Sequence, residues 1–205
     1  IDSEKQKKFN EANLNYLKNP SDGLTSGKEM LKYAQNNHER AISYLAMGKQ
    51  RSDKGDFVKS VEYLQTAFDQ VKKSDSADVK LEVLSYLIPA YRRAGLIVQS
   101  DENFQLLKQL SKDQPAYTSK IYTIFTEAKM ADIDQDFCKS AQLRKNFAKI
   151  LQPPSDIPDL NYRFDFSIYN QLCYVQIKCG TIEDAKETMK IVEDLYSKID
   201  KKTPI

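Results

Sequence analysis

The sequence is short of the residues from which many active sites are built. Its 205 residues include no tryptophan, one histidine (His38) and three cysteines (Cys138, Cys173 and Cys179). No C-x-x-C spacing occurs, and one distant histidine leaves too few ligands for a zinc site. We expect the three cysteines to be small buried residues, and we predict no metal and no cofactor.

The motifs of nucleotide-binding and hydrolytic enzymes are missing as well. No glycine-rich phosphate loop, H-E-x-x-H motif or G-x-S-x-G motif occurs. Asp132, Asp134 and Asp136 resemble the start of a calcium loop, but Phe137 stands where that loop needs glycine and Leu143 where it needs glutamate. We interpret this run as an acidic turn between helices, and we predict that the chain is not an enzyme.

Long apolar runs and a strong excess of one charge are absent too. No stretch of about 18 apolar residues occurs, so we predict no membrane insertion by this segment. The 31 Lys and Arg residues nearly balance 29 Asp and Glu residues. A surface that grips phosphate backbones is usually more basic, with its charge on one face. We therefore predict no direct contact with nucleic acid.

Glycine and proline are scarce, with six and seven copies, and the rest of the sequence has helical periodicity. The glycines fall where helices should end. Gly55 and Gly95 are 40 residues apart, and Gly95 and Gly180 are 85 apart, close to two further units. A fixed period in the range of about 20–50 residues is typical of repeat architectures, so we expect another turn near Asp134.

The sequence therefore predicts an all-α solenoid in which each unit is a helix, a tight turn and a second helix. We expect a single array over residues 1–205 with about five such hairpins. Their approximate bounds are 4–37 (degenerate), 41–74, 81–114, 117–151 (the weakest copy) and 162–199.

The best-defined hairpin, 41–74, resembles the tetratricopeptide repeat (TPR) family. Tyr44 is an aromatic residue at its fourth position, Gly48 follows at the eighth, Gly55 forms the turn, and Ala67 is small where the second helix must approach closely. Weaker matches are Tyr91 and Gly95 in one hairpin and Tyr169, Gly180 and Ala185 in another. The sequence departs from the family in lacking tryptophan and in its spacing of about 40 rather than 34 residues. A HEAT-like array is the alternative.

The resemblance implies a right-handed superhelix whose concave face, made of the first helix of each hairpin, receives a protein or peptide ligand. From their places on first helices, we predict six groove-facing residues: Leu45, Lys49, Ser85, Arg92, Asn170 and Tyr174. Tyrosines are frequent on the same helices, at 44, 86, 91, 122, 169 and 174. They suit either a ligand-binding face or the core, and both roles stay open.

Two biological settings agree with this reading. The sequence is similar to N-terminal TPR-like arrays of bacterial membrane-anchored sensor kinases and helix-turn-helix regulators, which implies a sensory or scaffolding part of a longer protein. It begins at Ile1 rather than methionine, as a processed or excised segment would. That setting favours an extracytoplasmic (periplasmic) location, with a cytoplasmic one as the alternative. The competing hypothesis is a free-standing assembly or structural adaptor with no separate ligand, which could form a homodimer.

Pro89 interrupts a segment with helical periodicity. A proline inside a helix removes one backbone hydrogen bond and bends the axis. The bend would either shape the wall of a ligand groove or accommodate a neighbouring helix.

Overall fold

The computed structural model describes residues 2–72, 77–150 and 158–199, and the regular elements in these ranges are helices. In chain order they are α1 (Ser3–Lys18), a short 3-10 turn (Pro20–Asp22), α2 (Gly23–Tyr33), α3 (Asn37–Asp53), α4 (Phe57–Val71), α5 (Ala77–Arg93), α6 (Ile97–Ser111), α7 (Ala116–Ile133), α8 (Phe137–Ile150), α9 (Pro158–Cys179) and α10 (Ile182–Lys198). The prediction of an all-α chain of helical hairpins is confirmed.

The chain forms two compact units, Ile1–Tyr122 and Thr123–Ile205. In the first, each helix from α1 to α5 packs against the one that follows it, and α3 also packs against α5. In the second, α9 lies against both α8 and α10. The predicted hairpin bounds stay a prediction, and both ends of the predicted array, Ile1 and residues 200–205, lie outside the described residues. In the described ranges, no helix has the length and apolar character needed to cross a bilayer.

Four hairpins turn in the same way, through one residue with a positive φ. These residues are Gly55 (77°), Gly95 (79°), Gln135 (62°) and Gly180 (84°). At each turn the following amide donates back to the first helix: Asp56 to Arg51 (2.9 Å), Leu96 to Tyr91 (2.9 Å), Asp136 to Ala131 (2.9 Å) and Thr181 to Gln176 (3.0 Å). This hydrogen bond and the positive φ are the features of a Schellman C-cap. Gln135 therefore occupies, 40 residues after Gly95, a position that glycine fills in the other three turns.

Small residues let the second helix of a hairpin approach the first. Ser60, Ser100 and Ser140 are 40 residues apart, stand at the fourth position of α4, α6 and α8, and are fully buried. The Ser60 hydroxyl donates to the Gly48 carbonyl at 2.9 Å, and the Ser100 hydroxyl donates to the Ile88 carbonyl at 3.1 Å. A larger side chain at these places would push the paired helices apart.

Gly48 in α3 allows another close contact between the two helices of a hairpin. A Cβ atom at this position would lie 2.6 Å from Cγ of Leu64 in α4. The side chains of Leu45, Leu64, Val83 and Leu87 form the centre of an apolar core between α3, α4 and α5. Pro89 is also buried, and α5 continues past it to Arg93.

A buried arginine joins three successive helix segments of the second unit. Arg144 in α8 is 5% exposed. Its guanidinium forms an ion pair with Asp132 near the end of α7 and donates to the Gln171 side-chain carbonyl in α9 at 2.6 Å. Planar donors on one guanidinium suit such multiple contacts.

The expectation that all three cysteines are small buried residues was wrong for two of them. Cys138 and Cys179 form a disulfide with an S–S distance of 2.00 Å, joining the start of α8 to the end of α9. Cys173 is free and buried, as expected. The bonded pair is 41 residues apart, which is close to the repeat period, so successive turns bring the two thiols together.

We predict that Gln135→Gly stabilises the protein. A side chain in the left-handed region costs about 1–2 kcal/mol, whereas glycine loses roughly 0.5–1 kcal/mol more backbone entropy on folding than alanine. We expect the free energy of unfolding to rise by about 0.5–1 kcal/mol, measured by urea unfolding and circular dichroism.

Gly95→Ala is the matched control, because a Cβ at Gly95 meets no atom within 4 Å. Any loss of stability there is conformational, and we expect a loss of about 1 kcal/mol. A destabilised Gln135→Gly variant would contradict the idea that a positive φ is the dominant requirement at this turn.

We also predict that Cys138→Ser destabilises the second unit. Opening a loop of 41 residues should lower the free energy of unfolding by about 3–4 kcal/mol. The disulfide can be checked in the unsubstituted protein by alkylation under denaturing, non-reducing conditions followed by mass spectrometry. We expect the label on Cys173 alone. Labelling of all three thiols in freshly isolated protein would refute the disulfide.

Candidate functional site

A polar cluster lies where the first helices of the first unit meet, and we call it the Lys49 site. Its members come from four helices: Tyr16 from α1, Lys49 from α3, Glu82 and Tyr86 from α5, and Tyr122 from the first part of α7. Glu82 and Tyr86 are one helical turn apart, so they share a face of α5. Since α3 packs directly against α5, this face comes beside Lys49.

The ammonium group of Lys49 is held by its neighbours. Its Nζ lies 4.2 Å from the centre of the Tyr86 ring, a distance at which the ring face attracts a cation. Tyr86, Tyr16 and the Glu82 carboxylate each favour the charged form of the ammonium.

Burial and these neighbours have opposite effects on the pKa of Lys49. Burial alone would lower the pKa, but Tyr86, Tyr16 and Glu82 together raise it above its ordinary value. Lys49 is therefore a fixed positive charge at neutral pH, and it lacks the free amine that a nucleophile or a general base needs.

Tyr16 and Tyr122 are neutral phenols at physiological pH, because the pKa of each is raised. Burial raises the pKa of Tyr16, although Lys49 partly offsets the effect. Burial, together with the carboxylates of Glu82 and Asp78, raises the pKa of Tyr122 to about 12. Tyr86 and Tyr122 are both half-buried, so each keeps part of its side chain open to a ligand.

The six predicted groove residues are placed very differently. Lys49 is at the centre of the site. Leu45 is 4% exposed and Ser85 is 1% exposed, and the Ser85 hydroxyl donates to the Glu82 carbonyl at 2.7 Å. Both side chains point into the packed interior, so we leave them out of the candidate site. On α5 the neighbouring Tyr86 reaches the Lys49 site instead, because one residue along a helix turns the side chain by about 100°.

Arg92, Asn170 and Tyr174 are not members of the Lys49 site. Arg92, near the end of α5, is half-buried and pairs with Asp101 of α6 at 2.7 Å. Asn170 and Tyr174 belong to the second unit, where both are exposed one turn apart on α9. Lys178 lies 5.7 Å from the centre of the Tyr174 ring.

The sequence analysis did not identify Tyr16 and Glu82 as site residues. It did name Tyr86 and Tyr122, as tyrosines that could belong either to a ligand-binding face or to the core. The signal for these two was their place on predicted first helices. Tyr16 carries no comparable signal, because its helix belongs to the degenerate first hairpin.

Comparison with known proteins identifies the fold. No protein-family model matches the sequence, and no curated protein matches it. Among solved structures, a Podosopora anserina protein described as a kinesin light chain with nearly identical TPR-like repeats is 13% identical, with a TM-score of 0.52. The alignment covers 97% of this chain and 98% of that one.

A variant of the same repeat protein gives a TM-score of 0.53 at 13% identity, with 94% of each chain covered. At this level of identity the likeness concerns the fold alone. The chain is an α-solenoid of TPR-like helical hairpins.

Proposed function

We propose that this chain is a non-enzymatic protein- or peptide-binding module, and that the Lys49 site is where its first unit receives the ligand. The observation that carries the proposal is that Tyr86 and Tyr122 are both partly exposed beside a lysine whose position is fixed by its neighbours. Tyrosine offers a large contact area and a hydroxyl, and it has few rotatable bonds to immobilise. A preorganised charge likewise reduces the entropy lost on binding.

The chemistry of the site supports binding rather than catalysis. The raised pKa values keep Lys49 protonated and the Tyr16 and Tyr122 phenols neutral near pH 7, so none of these three groups is activated for attack on a substrate. Hydroxyls and an ammonium can instead hydrogen-bond to the backbone carbonyls of an extended or helical peptide.

We predict that Tyr86→Ala weakens ligand binding at least tenfold, as truncation of an aromatic anchor typically does. The probes are 12-residue peptides selected by phage display against the intact protein, with affinities measured by fluorescence anisotropy. Tyr86→Phe keeps the ring and should lose much less. Circular dichroism checks that each variant is folded.

Tyr63→Ala is a matched control, because Tyr63 is a half-buried tyrosine on the second helix α4, where it stacks on Tyr44 at 6.4 Å. Its loss should leave peptide affinity unchanged. Equal losses of peptide affinity in Tyr63→Ala and Tyr86→Ala, or peptides whose affinity neither substitution changes, would argue against the Lys49 site.

Asn170 and Tyr174 stay a separate proposal for the second unit. If Tyr174→Ala lowers peptide affinity, then the second unit also contacts the peptide.

The finer proposal is that this module is the sensory or scaffolding part of a longer bacterial signalling or transcription regulator, outside the cytoplasm. The Cys138–Cys179 disulfide supports such a location, because disulfides persist in oxidising compartments and are rare in the cytosol. The alternative, an assembly adaptor or homodimer, is supported by exposed apolar residues on α10, where Ile182, Met189 and Tyr196 are each at least 39% exposed.

Cell fractionation followed by light scattering on the native protein separates these two settings. We expect this chain to be part of a longer protein found in the membrane fraction. A soluble dimer, or a soluble complex of fixed stoichiometry, would instead support the adaptor.

A further inference from the structure

A pocket opens next to the Lys49 site, between the start of α5 and the start of α7. Its walls are Asp78 from α5 and Thr118, Ile121 and Tyr122 from α7, and its volume is about 330 Å³. This volume is at the lower end of the range for ligand pockets. Tyr122 belongs to both the pocket and the Lys49 site, so a ligand on one can extend into the other.

The charge around Tyr122 is negative on balance. The charged side chains that act on its hydroxyl are the carboxylates of Glu82 and Asp78 and the ammonium of Lys49. Asp78 and Glu82 are four residues apart on α5, so both lie on the same face of that helix. The Lys49 ammonium is already in contact with Tyr86 and offsets one carboxylate. Among the residues that line the pocket, Asp78 is the one with a charged side chain, so the lining of the pocket is negative.

From this we infer that the pocket between α5 and α7 receives a basic side chain, arginine in preference to lysine, of the peptide that the Lys49 site binds. The inference rests on the proposed function and specifies its ligand. The aliphatic stem of an arginine would pack on Ile121. Its guanidinium would donate to the Asp78 carboxylate and lie against the Tyr122 ring. Lysine carries the same charge but lacks the planar group that stacks on a ring.

A purely structural role accounts for only part of the arrangement. Asp78 lies in the first turn of α5, where a carboxylate stabilises the helix by interacting with its dipole. That interaction fades beyond the first turn, and Glu82 is accounted for by its attraction to Lys49. Neither interaction explains why an apolar and an aromatic side chain of α7 line the same open space as Asp78.

The test uses the intact protein and the 12-residue peptides selected on it by phage display. We expect arginine to be enriched at one peptide position. Replacing that arginine by methionine should weaken binding to the native protein about tenfold. In the Asp78→Asn/Glu82→Gln double variant, the arginine peptide should lose about tenfold in affinity, and the arginine and methionine peptides should then bind alike, as a double-mutant cycle requires of a direct contact.

Glu102→Gln is the matched control, since Glu102 is an exposed carboxylate on α6, and it should leave both affinities unchanged. Asp78→Asn alone, at an exposed position, keeps the test valid if the double variant does not fold. Some selected peptides could lose affinity in Tyr86→Ala and yet show no preference for arginine, or keep their affinity in the Asp78 and Glu82 variants. Either result would overturn this inference and leave the proposed function standing. Failure to select any peptide that depends on Tyr86 would instead overturn the proposed function.

Discussion

The structure depends on helices that reverse direction within three residues, through one residue whose φ is positive. At Gly55, Gly95, Gln135 and Gly180 the backbone adopts this conformation, and the following amide donates back to the helix that has just ended. The second helix then starts too close to the first to tolerate large side chains between them. Buried serines at 60, 100 and 140 meet that restriction. Turn conformation and small-residue packing therefore act together, because neither alone would hold the helices at this separation.

This constraint also explains why the polar residues of the first unit meet. When each hairpin folds back in the same manner, first helices lie next to first helices, as α3 lies next to α5. Lys49 and Tyr86 are thereby brought to 4.2 Å, although they are distant in sequence. A half-buried ammonium would be unfavourable on its own, and here aromatic rings, hydroxyls and a carboxylate stabilise it. The result is a polar surface whose geometry is fixed before any ligand arrives, and this is the property that binding sites need.

The sequence predicted the repeat period of the hairpins well, but it did not predict in which direction individual side chains point. The spacing of three glycines predicted a further turn near Asp134, and the structure has that turn with Gln135 at its centre. Facing direction requires precision of a single residue, because neighbouring side chains on a helix differ by about 100°. Ser85 and Tyr86 illustrate this: the predicted residue is buried and the next one reaches the site. Glu82 could not be singled out, because its role depends on which residues of α3 and α7 stand opposite.

The disulfide shows that a period carries more information than a list of motifs. Cys138 and Cys179 look unrelated as residues 41 apart, yet in a repeat of about 40 residues they occupy neighbouring turns. The second unit also uses Arg144 to join α7, α8 and α9 through Asp132 and Gln171, whereas the α3–α5 core of the first unit is apolar. A buried ion pair adds less stability than apolar packing of equal volume, but removing one partner is costly. Both units therefore bury apolar side chains between their helices, and the second adds a buried ion pair and a disulfide to that packing.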